Sequence, residues 1–134
     1  MVAFLLVTHG EIGKSLSESA YQVFNKKQKK IEYVSVTPSD EIQEIKKIIN
    51  QKIKLIDKKN GLIIFTDIIG ATPSNILKDF SNKINLKIIS GVNLAMLIKA
   101  ISSKENDLNK IASECQESAI ENIIEVDFSD QNKN

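Results

Sequence analysis

Five runs rich in β-branched and aliphatic residues punctuate the chain, at 2–7, 31–36, 62–66, 87–90 and 123–128. The first and third are almost unbroken apolar stretches, the pattern of strands covered on both faces of a parallel sheet. Between the runs, apolar residues recur at helical spacing. Ile12, Leu16, Ala20, Val23 and Phe24 form one stripe, and Ile42, Ile45, Ile49, Ile53 and Ile56 a second. Ile76, Leu77, Phe80 and Ile84 form a third, Leu94, Leu97, Ile98 and Ile101 a fourth, and Leu108, Ile111, Ala112, Cys115 and Ala119 a fifth. Helix-start signals fall in the right places: Thr37-Pro38-Ser39-Asp40, Thr72-Pro73, Asn93 and Asp107. Strands alternating with helices predict a three-layer α/β/α sandwich. Its sheet is doubly wound and mostly parallel, with helices on both faces and a C-terminal edge strand at 123–128.

At 134 residues the chain suits one domain, expected over 1–128, with a polar tail at 129–134. Net charge is +1, which gives no basic field for nucleic acid. All 18 basic residues are lysines, so no arginine is available to grip a phosphate in a bidentate fork. The lysines at 26, 27, 29 and 30 read as a solvated helix end. The single cysteine, Cys115, lies on an apolar stripe and reads as core filler in a reducing compartment. The apolar run at 2–7 has no basic leader and is too short to span a membrane, so a cytoplasmic protein is expected.

In an open parallel sheet, ligands bind at the carboxyl ends of the strands. Three loops should converge there: Thr8-His9-Gly10, the stretch from Thr66 and Asp67 to Thr72-Pro73, and Ser90-Gly91-Val92-Asn93. Gly13-Lys14-Ser15 looks like the end of a P-loop, but that motif needs a glycine where Thr8 stands. The dinucleotide fingerprint fails too, for want of its third glycine and its acidic partner.

His9, the only histidine, is the better candidate for chemistry. Imidazole is nucleophilic near neutral pH when one nitrogen is free and the other is tied to a carboxylate. Asp67, at the matching end of the third strand, is placed to be that carboxylate; a turn-forming Asp closing a strand reads equally well at this point. Thr72 before Pro73 reads as N-cap followed by first helical residue, aiming the amides of Ser74 and Asn75, with those of Ala71 and Thr72, at the loop. A histidine, a carboxylate and an anion-accepting helix end suggest phosphoryl transfer.

With these residues in hand, the chain resembles the mannose-family IIA domain of the bacterial phosphoenolpyruvate-dependent sugar phosphotransferase system, over about residues 2–128. The resemblance rests on Val7-Thr8-His9-Gly10, on the stretch from Phe65 through Asp67 and Gly70-Ala71-Thr72-Pro73 to Asn75, and on Ser90-Gly91-Val92-Asn93-Leu94-Ala95-Met96-Leu97. It implies that His9 accepts a phosphoryl group from phospho-HPr and passes it to a IIB component, with membrane IIC and IID components engaged indirectly. It implies further that Asp67 orients His9, and that Thr72 contacts phosphoryl oxygens alongside Gly10, Gly70, Ala71, Ser74 and Asn75. Neither metal nor cofactor is called for. Family members are dimers in which a C-terminal strand crosses to the partner, a part open to 123–128. A regulatory phosphocarrier without its own transporter and a dihydroxyacetone kinase phosphotransfer subunit are the alternatives.

Overall fold

The apolar runs assemble into a single sheet of four parallel strands. The structure is a computed structural model that describes residues 1–24, 31–69, 72–81, 83 and 85–131, with backbone alone at 74, 130 and 131. The lysines at 26–30, Gly70, Ala71, Ile84 and the end of the tail at 132–134 lie outside the described residues.

The strands are β1 (Ala3–His9), β2 (Ile31–Val36), β3 (Leu62–Thr66) and β4 (Leu86–Ile89), in the order β2-β1-β3-β4. All three pairings are parallel, with Phe4 opposite Ile31 and Ile63, and Ile64 opposite Ile88. The helices are α1 (Ile12–Val23), α2 (Ile42–Leu55), α3 (Thr72–Leu77), α4 (Leu94–Ser102), α5 (Leu108–Glu121) and α6 (Phe128–Gln131), with a 3-10 turn at Lys78–Phe80. Among the described residues no helix is long and apolar enough to cross a membrane.

Alternation along β1 and β3 divides the interior in two. Phe4, Leu6, Ile63 and Phe65 face α1, α4 and α5, in a core that also holds Met96, Leu97, Ile101, Ile111 and Cys115. Leu5, Val7, Leu62 and Ile64 face the other way, against Ile45, Ile49 and Ile53 of α2 and Ile76 and Leu77 of α3. Helices on both faces make the predicted three layers. Each fully buried Leu, Ile or Phe stabilises the fold by about 1.5–3 kcal/mol relative to exposure.

Two helix starts behave as read. Asn93 Oδ1 accepts from the Met96 amide at 2.9 Å, and Asp107 Oδ1 from Lys110 at 3.0 Å, each contact satisfying an otherwise orphaned donor. Asp40 instead accepts from the Thr37 amide, forming a turn ahead of α2.

Three expectations need correction. The α1 stripe is rotated: Ile12 and Val23 are exposed, while Gly13, Ser17 and Ala20 are buried. Gly13 lets the helix start lie so close to the sheet that a Cβ there would meet Thr8 Oγ1 at 2.8 Å. The helix turn at Thr72 also begins one residue early, since Thr72 itself is the first residue of α3. Finally, residues 123–127 carry no regular structure and α6 begins at Phe128, where a strand was expected. A strand needs a neighbour to accept its backbone hydrogen bonds, and this stretch pairs with none of the four.

Candidate active site

β1 lies inside the sheet, between β2 and β3, and delivers His9 as its last residue, opposite Val36. The next amide, of Gly10, donates to the Val36 carbonyl at 2.9 Å while Gly10 turns the chain at φ +48. Such a φ suits glycine. Thr8 is fully buried, and its hydroxyl accepts from the Gly13 amide at 2.7 Å. So the stretch that imitated a P-loop is a strand-to-helix clasp, with Gly13 and Lys14 inside α1 rather than in a cradling loop. Lys14 stands 3.8 Å from exposed Glu11.

The strand order reverses its direction of winding between β1 and β3, the crevice where open parallel sheets take ligands. The pairing of Val7 with Thr66 puts the next residue of the β3 side, Asp67, beside His9. The histidine amide donates to Asp67 Oδ2 at 3.1 Å. The ring Nδ1 lies 3.0 Å from Oδ2 and 3.2 Å from Oδ1, and the Ile68 amide donates to Oδ1 at 3.0 Å. Burial pushes the Asp67 carboxyl up, but the hydrogen bonds from the His9 amide, the His9 ring and the Ile68 amide outweigh it and hold the group below its ordinary value. An ionised carboxylate only accepts, so the facing Nδ1 carries the proton and a neutral ring keeps its lone pair on Nε2. The His9 side chain is 41% exposed and that of Asp67 10%, so the ring can be reached while its anchor cannot.

A third loop fixes the anchor. The Gly91 amide donates to the Asp67 carbonyl and the Val92 amide to that of Thr66, both at 3.1 Å, with Gly91 at φ +79. Sequence reasoning placed this loop at the edge but missed its work. Gly91, the one visible signal, marks the turn without saying which carbonyl it reaches.

Of the expected phosphate contacts, Gly10 directly follows His9 in the chain. Thr72 and Asn75 are exposed on α3 and Pro73 is buried, while Gly70 and Ala71 lie outside the described residues. Among the described residues no hydrogen bond joins Thr72 or Asn75 to the His9–Asp67 pair. Among the described residues no three His, Cys, Asp or Glu side chains cluster as a metal would need.

The fold has relatives among solved structures. A mannose/sorbose-specific IIA subunit of the phosphotransferase system from Enterococcus faecalis superposes with a TM-score of 0.84 at 19% identity, covering 94% of this chain and 95% of that one. The PTS IIA protein associated with the fucose utilization operon of Streptococcus pneumoniae gives 0.72 at 25% identity, covering 98% of both chains. A sigma-54 interaction domain protein from Enterococcus faecalis gives 0.65 at 21%, covering 90% and 91%. No curated protein sequence matches. The sequence profile of the PTS system fructose IIA component matches residues 3–125, nearly the whole described chain, and on that match this protein belongs to the EIIA-man family.

Proposed function

We propose that the chain is a phosphohistidine carrier, taking a phosphoryl group from phospho-HPr onto His9 and handing it to a IIB component in the cytoplasm. The observation that carries this reading is the His9–Asp67 pair: Nδ1 tied 3.0 Å from a carboxylate held ionised, on a ring open to a partner. Nε2 attacks phosphorus as the N–P bond to the donor imidazole breaks, and the donor nitrogen leaves with the electron pair. The attacking ring gains positive character, which the Asp67 carboxylate stabilises. Transfer between two nitrogens calls for positioning and charge stabilisation.

In this reading the phosphoryl oxygens are received by neutral donors, the chain having no arginine to grip them in a bidentate fork. We assign these to the Thr72 hydroxyl and to the backbone of Gly10, Gly70, Ala71, Ser74 and Asn75. Hydrogen bonds to a charged group are worth about 1.5–3 kcal/mol each. IIC and IID components are engaged only through IIB.

A homodimer belongs to the same reading. β4 is an edge strand of the sheet, Ile120 is exposed on the last turn of α5, and Ile123, Ile124 and Phe128 are exposed after it. A partner's β4 would give the 123–128 run the ladder it lacks in its own chain.

A purely regulatory phosphocarrier is the second reading, favoured by the structural likeness to the sigma-54 interaction domain protein. Both readings need His9. Incubation with phosphoenolpyruvate, enzyme I and HPr, followed by intact mass spectrometry of wild type and His9→Ala, tests them together. One acid-labile phosphoryl group on wild type alone is expected. No gain while HPr itself is phosphorylated rejects both, and onward passage to a IIB domain separates them.

A further inference from the structure

One side chain ties the last turn of α5 to the loop that holds Asp67. Asn93 ends that loop with its backbone extended, at φ −139 and ψ 171. Its Oδ1 accepts from the Met96 amide at 2.9 Å, the ordinary work of an N-cap. Its Nδ2 does something a cap does not require, donating to the Ala119 carbonyl at 3.3 Å. Ala119 is buried in the last turn of α5, where helix carbonyls lack the amides of a following turn. The Ile123 amide, which would reach it in a longer helix, donates to the Ile120 carbonyl instead. Asn93 thus satisfies a buried carbonyl that the helix leaves open, and such a carbonyl left unpaired costs free energy.

The same loop reaches the site. Two residues before Asn93, the Gly91 amide donates to the Asp67 carbonyl, and the Val92 amide donates to that of Thr66. Val92 packs against the core on the α4 and α5 side. Gly91 is exposed, and a Cβ there would meet nothing within 4 Å. A cavity of about 340 Å³, lined in part by Ser90, Gly91, Gln116 and Ala119, adjoins the turn. With so little packed on it, Gly91 takes its place from the hydrogen bonds around it. The helices themselves do not depend on Asn93, since α4 and α5 share a core that includes Met96, Leu97, Ile111 and Cys115.

We propose that Asn93 is a positioning residue for the His9–Asp67 pair, acting through the backbone of Gly91 and Asp67 and touching neither reacting atom. Loss of its Nδ2 contact lets the turn shift against α5, and the Asp67 carboxylate then meets Nδ1 less squarely. The neutral ring holds its proton on Nδ1 less strongly as a result. The consequence for catalysis rests on the phosphohistidine reading, but the ring proton can be read without any phosphoryl donor.

The test is nitrogen NMR of the His9 ring in its neutral form, on unphosphorylated wild type, Asn93→Ser, Asn93→Thr and Asp107→Ser. Ser and Thr cap α4 as Asn does but carry no amide for Ala119. Asp107→Ser alters the cap at the other end of α5 and controls for stability alone. In both Asn93 variants the ratio of Nδ1–H to Nε2–H tautomer should fall roughly 2- to 10-fold, the net worth of one hydrogen bond. Phosphoryl acceptance from phospho-HPr should slow with it, and Asp107→Ser should move neither. Cooperative melting shows that each variant folds. An unchanged ratio in both Asn93 variants, or an equal change in Asp107→Ser, would overturn the proposal. A protein that takes no phosphoryl group yet shows the shifted ratio would reject the carrier reading and still support the positioning role.

Discussion

One carboxylate oxygen, Asp67 Oδ2, faces His9 twice: it accepts from the histidine amide at 3.1 Å and lies 3.0 Å from the ring nitrogen Nδ1. The first contact fixes where the strand ends relative to Asp67. The second fixes how the ring is turned. A single side chain thus meets both the backbone and the ring of His9.

Asp67→Asn should separate these roles. The amide oxygen can still accept from the backbone, but the neutral group no longer favours a cationic ring. We expect the rate of phosphoryl acceptance to fall roughly 10- to 100-fold, by analogy with the loss of the hydrogen-bond partner of a metal-bound histidine. Stopped-flow or quench measurements with phospho-HPr would read it; an unchanged rate would remove Asp67 from the mechanism.

The lowered Asp67 pKa makes a signed prediction. A carboxyl whose folded pKa lies below its unfolded value, ordinarily about 3.9, adds stability above that value. The contribution is lost as pH falls through the folded pKa. Carboxyl NMR titration should place Asp67 below the ordinary range, and His9→Ala should raise it by removing the ring contact. A titration point above the ordinary range would mean that burial, not hydrogen bonding, dominates.

Gly13→Ala tests the clasp between β1 and α1. In an exposed helix this change stabilises by up to about 1 kcal/mol. Here the new methyl meets Thr8 Oγ1 at 2.8 Å and Leu6 Cβ at 3.2 Å. Overpacking costs typically 1–3 kcal/mol, so net destabilisation is expected in urea unfolding. A stabilised variant would show that α1 can lift off without loss.

Much of this was legible in advance, and particular residues show why. The unbroken apolar runs of β1 and β3 can only be central strands. His9 and Asp67 sit at their matching ends, so pairing the strands pairs the side chains. As caps, Asn93 and Asp107 act locally, and local sequence reveals them. What escaped was set by tertiary contact. The burial of Gly13 depends on how closely a helix approaches a sheet, and the Gly91 and Val92 amides reach carbonyls that leave no mark in the sequence. The run at 123–128 has strand composition but no neighbour in its own chain, and composition does not supply one.

The Thr66 hydroxyl is buried with no hydrogen-bond partner among the described residues. Thr66→Val should stabilise the protein by about 1 kcal/mol or more, because an unpaired buried hydroxyl costs about 1–3 kcal/mol. Chemical denaturation at equal protein concentration measures it. A loss of stability would reveal that the hydroxyl is already satisfied.

If residues 123–128 complete a partner's sheet, Ile124→Lys together with Phe128→Asp should convert a dimer to a monomer in light scattering. Both side chains are exposed within the single chain, so circular dichroism should be unchanged. A wild type that is monomeric, or a variant that remains dimeric, would exclude that interface.

His9 and Asp67 are 58 positions apart, and only the parallel pairing of β1 with β3 makes them neighbours. A folding chain can build β1, α1 and β2 from nearby residues, but it must close a much longer loop before the third strand docks. Reactivity at His9 would then switch on late, after most of the secondary structure exists. A partly folded molecule could display the histidine without its carboxylate, so phosphoryl acceptance becomes a kinetic reporter of the last long-range step in folding.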